Sequence, residues 1–270
     1  MDNRFLFLGG DRRSIYAARS IMQRRTVCAL GFDGCPLPEG KFGVIVLPLP
    51  FMKDGFINAP LYDGRLPLSL ITEYAADGCT VFSGGVSAEL TELCKSNGIR
   101  LVDYFADEPL TLKNAALTAE AAVSILIQRT EFSLCGASAL ITGGGRIALQ
   151  TARLLRSFGS DVTVCARNAT QLAKASLEYC NTASLEALPA LCTEADIVIN
   201  TVPAQLFSEE AFRNMQAGTF FMELASKPPK PEEDLSAKYG VHYIYASGLP
   251  GRYSPKTAGE CIASVILARS

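Results

Sequence analysis

Ala137-Ser138-Ala139-Leu140-Ile141-Thr142-Gly143-Gly144-Gly145-Arg146-Ile147-Ala148 decides the fold. An apolar run of strand composition passes directly into a turn of small residues, and Leu149 to Phe158 follows with helical spacing. The pattern Gly143-x-Gly145-x-x-Ala148 gives each small position a task. Gly143 permits the tight turn, Gly145 lets the backbone approach a pyrophosphate, and Ala148 permits close packing of helix on strand. Free amides at the helix N-terminus then face the anion. A strand before and a helix after are the context that separates a dinucleotide-binding turn from a plain tight turn. Arg146 and Ile147 join Gly143, Gly144 and Gly145 as candidate cofactor contacts. The plain alternative for Arg146 is a solvated side chain at a helix start.

The next strand, Asp161-Val162-Thr163-Val164-Cys165, ends in Ala166-Arg167-Asn168. An NAD site usually carries Asp or Glu here to bind the ribose hydroxyls. This chain has none, and Arg167 instead offers a planar cation suited to a 2′-phosphate. NADP(H) is therefore expected over NAD(H), with Ala166, Arg167 and Asn168 at the ribose end. A further strand, 196–200, ends in Thr201-Val202-Pro203, which should border the nicotinamide.

Working outward, short apolar runs alternate with amphipathic segments along all 270 residues, the rhythm of β-α units and parallel sheets. Strands are expected at 4–8, 26–30, 43–48, 79–83 and 99–103, with helices at 12–24, 68–77 and 86–97. A Pro- and Gly-rich loop fills 49–66. One helix, 108–130, serves as connector. Strands follow at 137–142, 161–165, 196–200, 218–222 and 241–246. Helices are expected at 146–158, 169–178, 184–191, 232–240 and 257–269.

The fold class is thus α/β: two Rossmann-like, doubly wound parallel-sheet domains joined by a long connector helix, with a ligand cleft between them. The divisions are a substrate domain at 1–112, the connector at 113–132 and the dinucleotide domain at 133–246. A substrate loop and last helix at 247–270 bridge back to the first domain. Gly9-Gly10-Asp11 does not fit a second G-x-G-x-x-G, so no second cofactor is assigned.

Net charge is −2, so no global basic field attracts nucleic acid or anionic lipid. Nine cysteines and one histidine, with no C-x-x-C pair, read as reduced thiols and give no metal site. The apolar start, Phe5-Leu6-Phe7-Leu8, is too short for a secretion signal, and no stretch reaches the ~20 apolar residues of a membrane span. A cytoplasmic protein, with no nucleic-acid or membrane partner, is expected.

Several segments together resemble the family of dipicolinate synthase A subunits. They are Phe7-Leu8-Gly9-Gly10-Asp11-Arg12, Val46-Leu47-Pro48, Phe82-Ser83-Gly84, and Asn114, Thr118 and Glu120 on the connector. The Gly143 turn, Ala166-Arg167, Asn200-Thr201-Val202-Pro203 and Leu224-Ala225-Ser226-x-Pro228 continue the series. Gly248-Leu249-Pro250-Gly251 with Ser254-Pro255-Lys256-Thr257-Ala258-Gly259 is the most specific segment. Glu223 stands where that family leads one to expect Asp, Lys227-Pro228-Pro229 replaces an Arg-Pro-Gly stretch, and loop 49–66 is unlike the family. The resemblance implies oxidation of a dihydrodipicolinate-level intermediate, or its hydrated precursor, to dipicolinate. It also implies the mother cell of a spore-forming bacterium as setting, and as partner the flavoprotein-like B subunit of dipicolinate synthase.

A substrate with two carboxylates needs cations and hydrogen-bond donors. Lys256 is the first choice for a carboxylate contact and the one candidate catalytic group, able to move a proton only if burial lowers its pKa. Ser254 and Thr257 flank it; Ser254 reads equally well as a helix cap before Pro255. Arg12, Ser83, Asn114 and Thr118 complete the substrate candidates. For Ser83 a chain turn, and for Asn114 and Thr118 hydrogen bonding between domains, are the plain alternatives. His242, set among apolar residues, reads as structural. Two other functions compete: a different NAD(P)-dependent amino-acid or hydroxyacid dehydrogenase, and a non-catalytic nucleotide-binding subunit of a heteromer. Homo-oligomers fit any of these.

Overall fold

The structure, a computed structural model, describes residues 4–226 and 231–270. It divides into two compact units, Met1–Asn114 with Pro250–Ser270, and Ala115–Leu249. The first contains β1 (Phe5–Leu8), α1 (Arg12–Met22), β2 (Val27–Leu30), β3 (Phe42–Val46) and a small hairpin of β4 (Met52–Lys53) and β5 (Phe56–Ile57). There follow α2 (Ser69–Tyr74), β6 (Ala75–Ser83), α3 (Ala88–Ser96) and β7 (Arg100–Asp103). The unit boundary falls within α4 (Glu108–Arg129).

The second unit holds β8 (Ser138–Thr142), α5 (Arg146–Ser157), β9 (Asp161–Cys165), α6 (Ala169–Leu177), β10 (Asn181–Ala183) and α7 (Leu188–Leu191). It continues with β11 (Ile197–Asn200), α8 (Glu209–Asn214), β12 (Phe220–Glu223), α9 (Pro231–Tyr239) and β13 (His242–Tyr245). The chain closes with α10 (Leu249–Tyr253) and α11 (Pro255–Arg269).

Both large sheets are wholly parallel. The first has the order β2-β1-β3-β6-β7, the second β10-β9-β8-β11-β12-β13. Parallel strands are covered on both faces, so the central ones read as unbroken apolar runs. Phe5-Leu6-Phe7-Leu8 and Ile197-Val198-Ile199-Asn200 are buried at every position. Each such Phe, Leu or Ile contributes roughly 1.5–3 kcal/mol of transfer free energy.

In the first unit α11 lies on α1. Gly259 makes this possible, since a Cβ there would sit 2.4 Å from the Arg13 carbonyl oxygen. Ile262, Ala263 and Ile266 then join Phe5, Phe7, Ala17 and Ile21 in one core cluster.

Three expectations are corrected. Loop 49–66 contains the β4–β5 hairpin. Helix α2 stops at Tyr74 because Ala75 already pairs with Phe42 of β3. The sequence also has a helix long and apolar enough to cross a membrane: α4, 22 residues long. Its Ala121, Ala122, Val123 and Leu126 are buried in the core of the second unit, which is where its hydropathy comes from.

Candidate dinucleotide-binding site

Gly143 ends β8 at φ +91°, a conformation open to glycine at little cost. A Cβ there would lie 2.6 Å from Thr201 Oγ1 and 2.9 Å from Val202 Cγ2. Gly143 therefore does more than turn the chain; it lets the segment after β11 close against the turn. At Gly144 a Cβ would meet Gln171 Cβ at 2.5 Å, so this glycine admits the first turn of α6. Gly145 differs from both, because a Cβ there would have nothing within 4 Å. Helix α5 starts behind it without any side-chain cap, and Ala148 is fully buried beneath. An open glycine before uncapped amides is what a diphosphate requires, so the residues present fit a dinucleotide.

The remaining cofactor candidates surround this turn. Arg146 is exposed, while Ile147 packs its side chain on the core. Ala166 is buried, and its N–H donates to the Ala183 carbonyl. Arg167 is exposed. The Asn168 side-chain oxygen accepts from the N–H groups of Thr170 and Gln171, capping α6. Thr201 donates its hydroxyl to the Thr142 carbonyl at 2.7 Å; Val202 is half-buried and Pro203 exposed. Nearby, burial pushes the Cys165 thiol up to about 11, which leaves it protonated and unreactive.

A polar row behind this edge had no place in the sequence reading. Thr142, Asn200 and Glu223 are the last residues of β8, β11 and β12 and lie in register. The Thr142 hydroxyl donates to Asn200 Oδ1 at 2.6 Å, and Asn200 Nδ2 donates to Glu223 Oε2 at 2.7 Å. The same Asn200 amide accepts from the Val202 N–H and donates to the Val202 carbonyl. Glu223 Oε1 accepts from the Ala225 N–H at 2.7 Å.

Glu232, in the first turn of α9, is fully buried against Glu223. Neither of its oxygens has a hydrogen-bond partner among the described residues. Burial, then the Glu223 carboxyl beside it, push the Glu232 carboxyl well above the usual range; burial also raises Glu223, against the opposing hydrogen bonds from Asn200 and Ala225. The positive end of α9 favours ionisation by only ~0.3–1 kcal/mol, against several for burying a charge. One signal was legible: Glu223 closes the apolar run Phe220-Phe221-Met222.

The substrate candidates fall mainly in the first unit. The start of α1 and the segment leading into α11 lie side by side there, since a Cβ on Gly251 would be 2.5 Å from Asp11 Oδ2. Arg12 is exposed at the start of α1; Lys256 and Thr257 are exposed in the first turn of α11. Ser254 holds the cap position but makes no capping hydrogen bond. Ser83 is fully buried and donates to the Gly85 carbonyl at 2.6 Å, so its hydroxyl turns the chain. On α4, Asn114 is half-buried and Thr118 buried. Lys227, Pro228 and Pro229 lie outside the described residues.

His242 is an exposed first residue of β13, at the amino edge of the sheet and not among apolar neighbours as expected. It lines a cavity of about 350 Å³ with Asp196 and Thr219, at the opposite end of the sheet from the glycine turn.

The fold and the turn define a class, the two-unit α/β proteins with an NAD-binding domain of dehydrogenase type. Residues 124–238 match the D-isomer specific 2-hydroxyacid dehydrogenase, NAD binding domain. Within that class the chain belongs with the dipicolinate synthase A subunits, whose N-terminal domain matches residues 4–105. The dipicolinate synthase A subunit of Bacillus subtilis (strain 168) is 26% identical over 96% of this chain and 93% of its own. The crystal structure of the Bacillus halodurans A subunit superposes with a TM-score of 0.89 at 25% identity, covering 99% of this chain and 97% of that one. For the Bacillus subtilis protein the TM-score is 0.85 at 25% identity, over 100% and 97%.

Proposed function

We propose that this chain is an NADP-dependent oxidoreductase subunit that oxidises a dihydrodipicolinate-level intermediate, or its hydrated precursor, to dipicolinate during sporulation. The observation that carries the reading is the open backbone at Gly145 before the uncapped α5, in a chain similar to a dipicolinate synthase A subunit over nearly its whole length. Bound dinucleotide would supply the hydride acceptor. Around it, the α5 amides hold the diphosphate, and Arg167 pairs with the 2′-phosphate where no acidic residue follows β9. Thr201, Val202 and Pro203 form the nicotinamide edge.

For the substrate, Lys256 and Arg12 meet carboxylates, while Ser254 and Thr257 donate hydroxyls and Asn114 and Thr118 add hydrogen bonds. Lys256 is exposed, so it acts as a charge that orients the substrate; the burial that proton transfer would need is missing. A second subunit, in keeping with the name of the relatives, completes the synthase in the cytoplasm of a sporulating cell.

Titration of nicotinamide fluorescence with NADPH and NADH tests this. NADPH should bind more tightly, and Arg167→Ala should weaken NADPH by about tenfold, one charge-assisted contact, while leaving NADH unchanged. Equal affinities in the native chain would remove the NADP assignment.

A further inference from the structure

The Glu223–Glu232 pair has no part in the contacts proposed above. Both residues are fully buried. Both oxygens of Glu223 are already engaged, by Asn200 Nδ2 and by the Ala225 N–H. Glu232 has no donor for either oxygen among the described residues. Two ionised carboxylates in contact cannot bond, because neither has a hydrogen to give. A buried carboxylate without any donor is one of the costliest arrangements a fold can hold. A single proton removes both problems: Glu232 becomes a donor, and Glu223 accepts a short charge-assisted bond.

We propose that the two carboxyls share one proton, and that neutral Glu232 is a positioning residue for dinucleotide binding. It holds Glu223, Glu223 orients the Asn200 amide, and Asn200 fixes both backbone groups of Val202 at the nicotinamide edge. The proposal rests on the dinucleotide reading of the Gly143 turn.

The surroundings support an uncharged pair. Tyr243 of β13 is the titratable side chain that faces both acids from the neighbouring strand, and its phenol is pushed up by burial and then by Glu223, Glu232, Glu233 and Tyr245. It is therefore neutral and brings no compensating cation. With Glu232 titrating above its unfolded value, the stability it contributes is full at acid pH. That contribution falls as pH rises through the raised value. Nucleotide affinity should fall over the same interval, as the doubly ionised pair pushes Glu223 off Asn200.

The probe is NADPH, titrated by fluorescence from mildly acid to alkaline pH, with Tm and the infrared carbonyl band of a protonated carboxyl followed in parallel. The native chain should lose about tenfold in affinity, the equivalent of one pKa unit of coupling, and should show the band at neutral pH. Glu232→Gln, whose amide donates at every pH, should bind NADPH like the native chain at neutral pH, hold that affinity into alkali and lack the band. Glu232→Leu, which keeps the site apolar but donates nothing, should bind weakly throughout. The same pH profile in Glu232→Gln as in the native chain, or no protonated-carboxyl band, would overturn the proposal. If neither nucleotide binds at any pH, the dinucleotide reading fails and the positioning role with it; a Tm that falls with pH in the native chain and is flat in Glu232→Gln would show that the shared proton outlives that failure.

Discussion

The two parallel sheets begin alike and end differently. Each first strand runs into glycines and then into a helix: β1 into Gly9-Gly10 and α1, β8 into Gly143-Gly144-Gly145 and α5. In the first unit that place is filled from within. A Cβ on Gly9 would lie 2.8 Å from the Asn58 carbonyl oxygen, one on Gly10 2.0 Å from Ser14 Oγ. Asp11 caps α1, accepting from the Arg13 N–H, and its carboxylate pairs with the buried Arg13 guanidinium at 2.8 Å. The chain supplies its own anion and its own lid. In the second unit Gly145 faces open space and α5 has no cap. A shared strand–turn–helix plan thus says little about ligands, and what decides is whether the chain has already satisfied the helix amides.

That contrast can be broken by exchanging the two solutions. Gly145→Asp places a carboxylate where Asp11 stands in the other unit. The backbone there (φ −82°) accepts any residue and the space is open, so the fold should be kept and α5 stabilised by about 1 kcal/mol. Dinucleotide binding should fall by a factor of about 1,000, as a fixed charge opposes the diphosphate; titration and a thermal melt read both numbers. Retained binding would show that the anion sits elsewhere. Gly10→Ala tests the closed side. Its Cβ would overlap Ser14 at a backbone of φ +120°, and a loss of about 2–3 kcal/mol is expected in urea unfolding, with nucleotide affinity unchanged. Asp11→Asn keeps the cap but removes the charge opposite Arg13. Because Asp11 is partly exposed, the cost should be only about 1 kcal/mol, and a larger one would mean that Arg13 depends on this carboxylate alone.

How much of this was readable in the chain depends on the range of the signal. The Gly143 turn was legible because every part of it is local, within twelve residues. So were the long strands, whose apolar runs announce burial on both faces. Short polar elements were missed: β10 is Asn181-Thr182-Ala183, an edge strand with nothing apolar to mark it, and α8 is six residues announced only by its Ser208 cap. The closed state of the first turn was partly visible, since Gly9-Gly10-Asp11 departs from the binding pattern. That Asn58 would cover it was not, because this depends on the path of a loop almost fifty residues on. Glu223 and Glu232 are nine positions apart and meet only because the chain reverses after β12. Asn200 was quoted as part of Asn200-Thr201-Val202-Pro203, but its task as a bracket for Val202 needed the register of three strands.

The packing of α11 on α1 also bears on how the molecule is made. Residues 250–270 complete the core around Phe5, Phe7, Ala17 and Ile21, yet a ribosome delivers them after all of the second unit. Domains commonly fold in the order in which they emerge. Here that order is inverted: the unit begun first must wait, its apolar helix face uncovered, until the last turn of chain leaves the exit tunnel, and the nucleotide unit is finished before it.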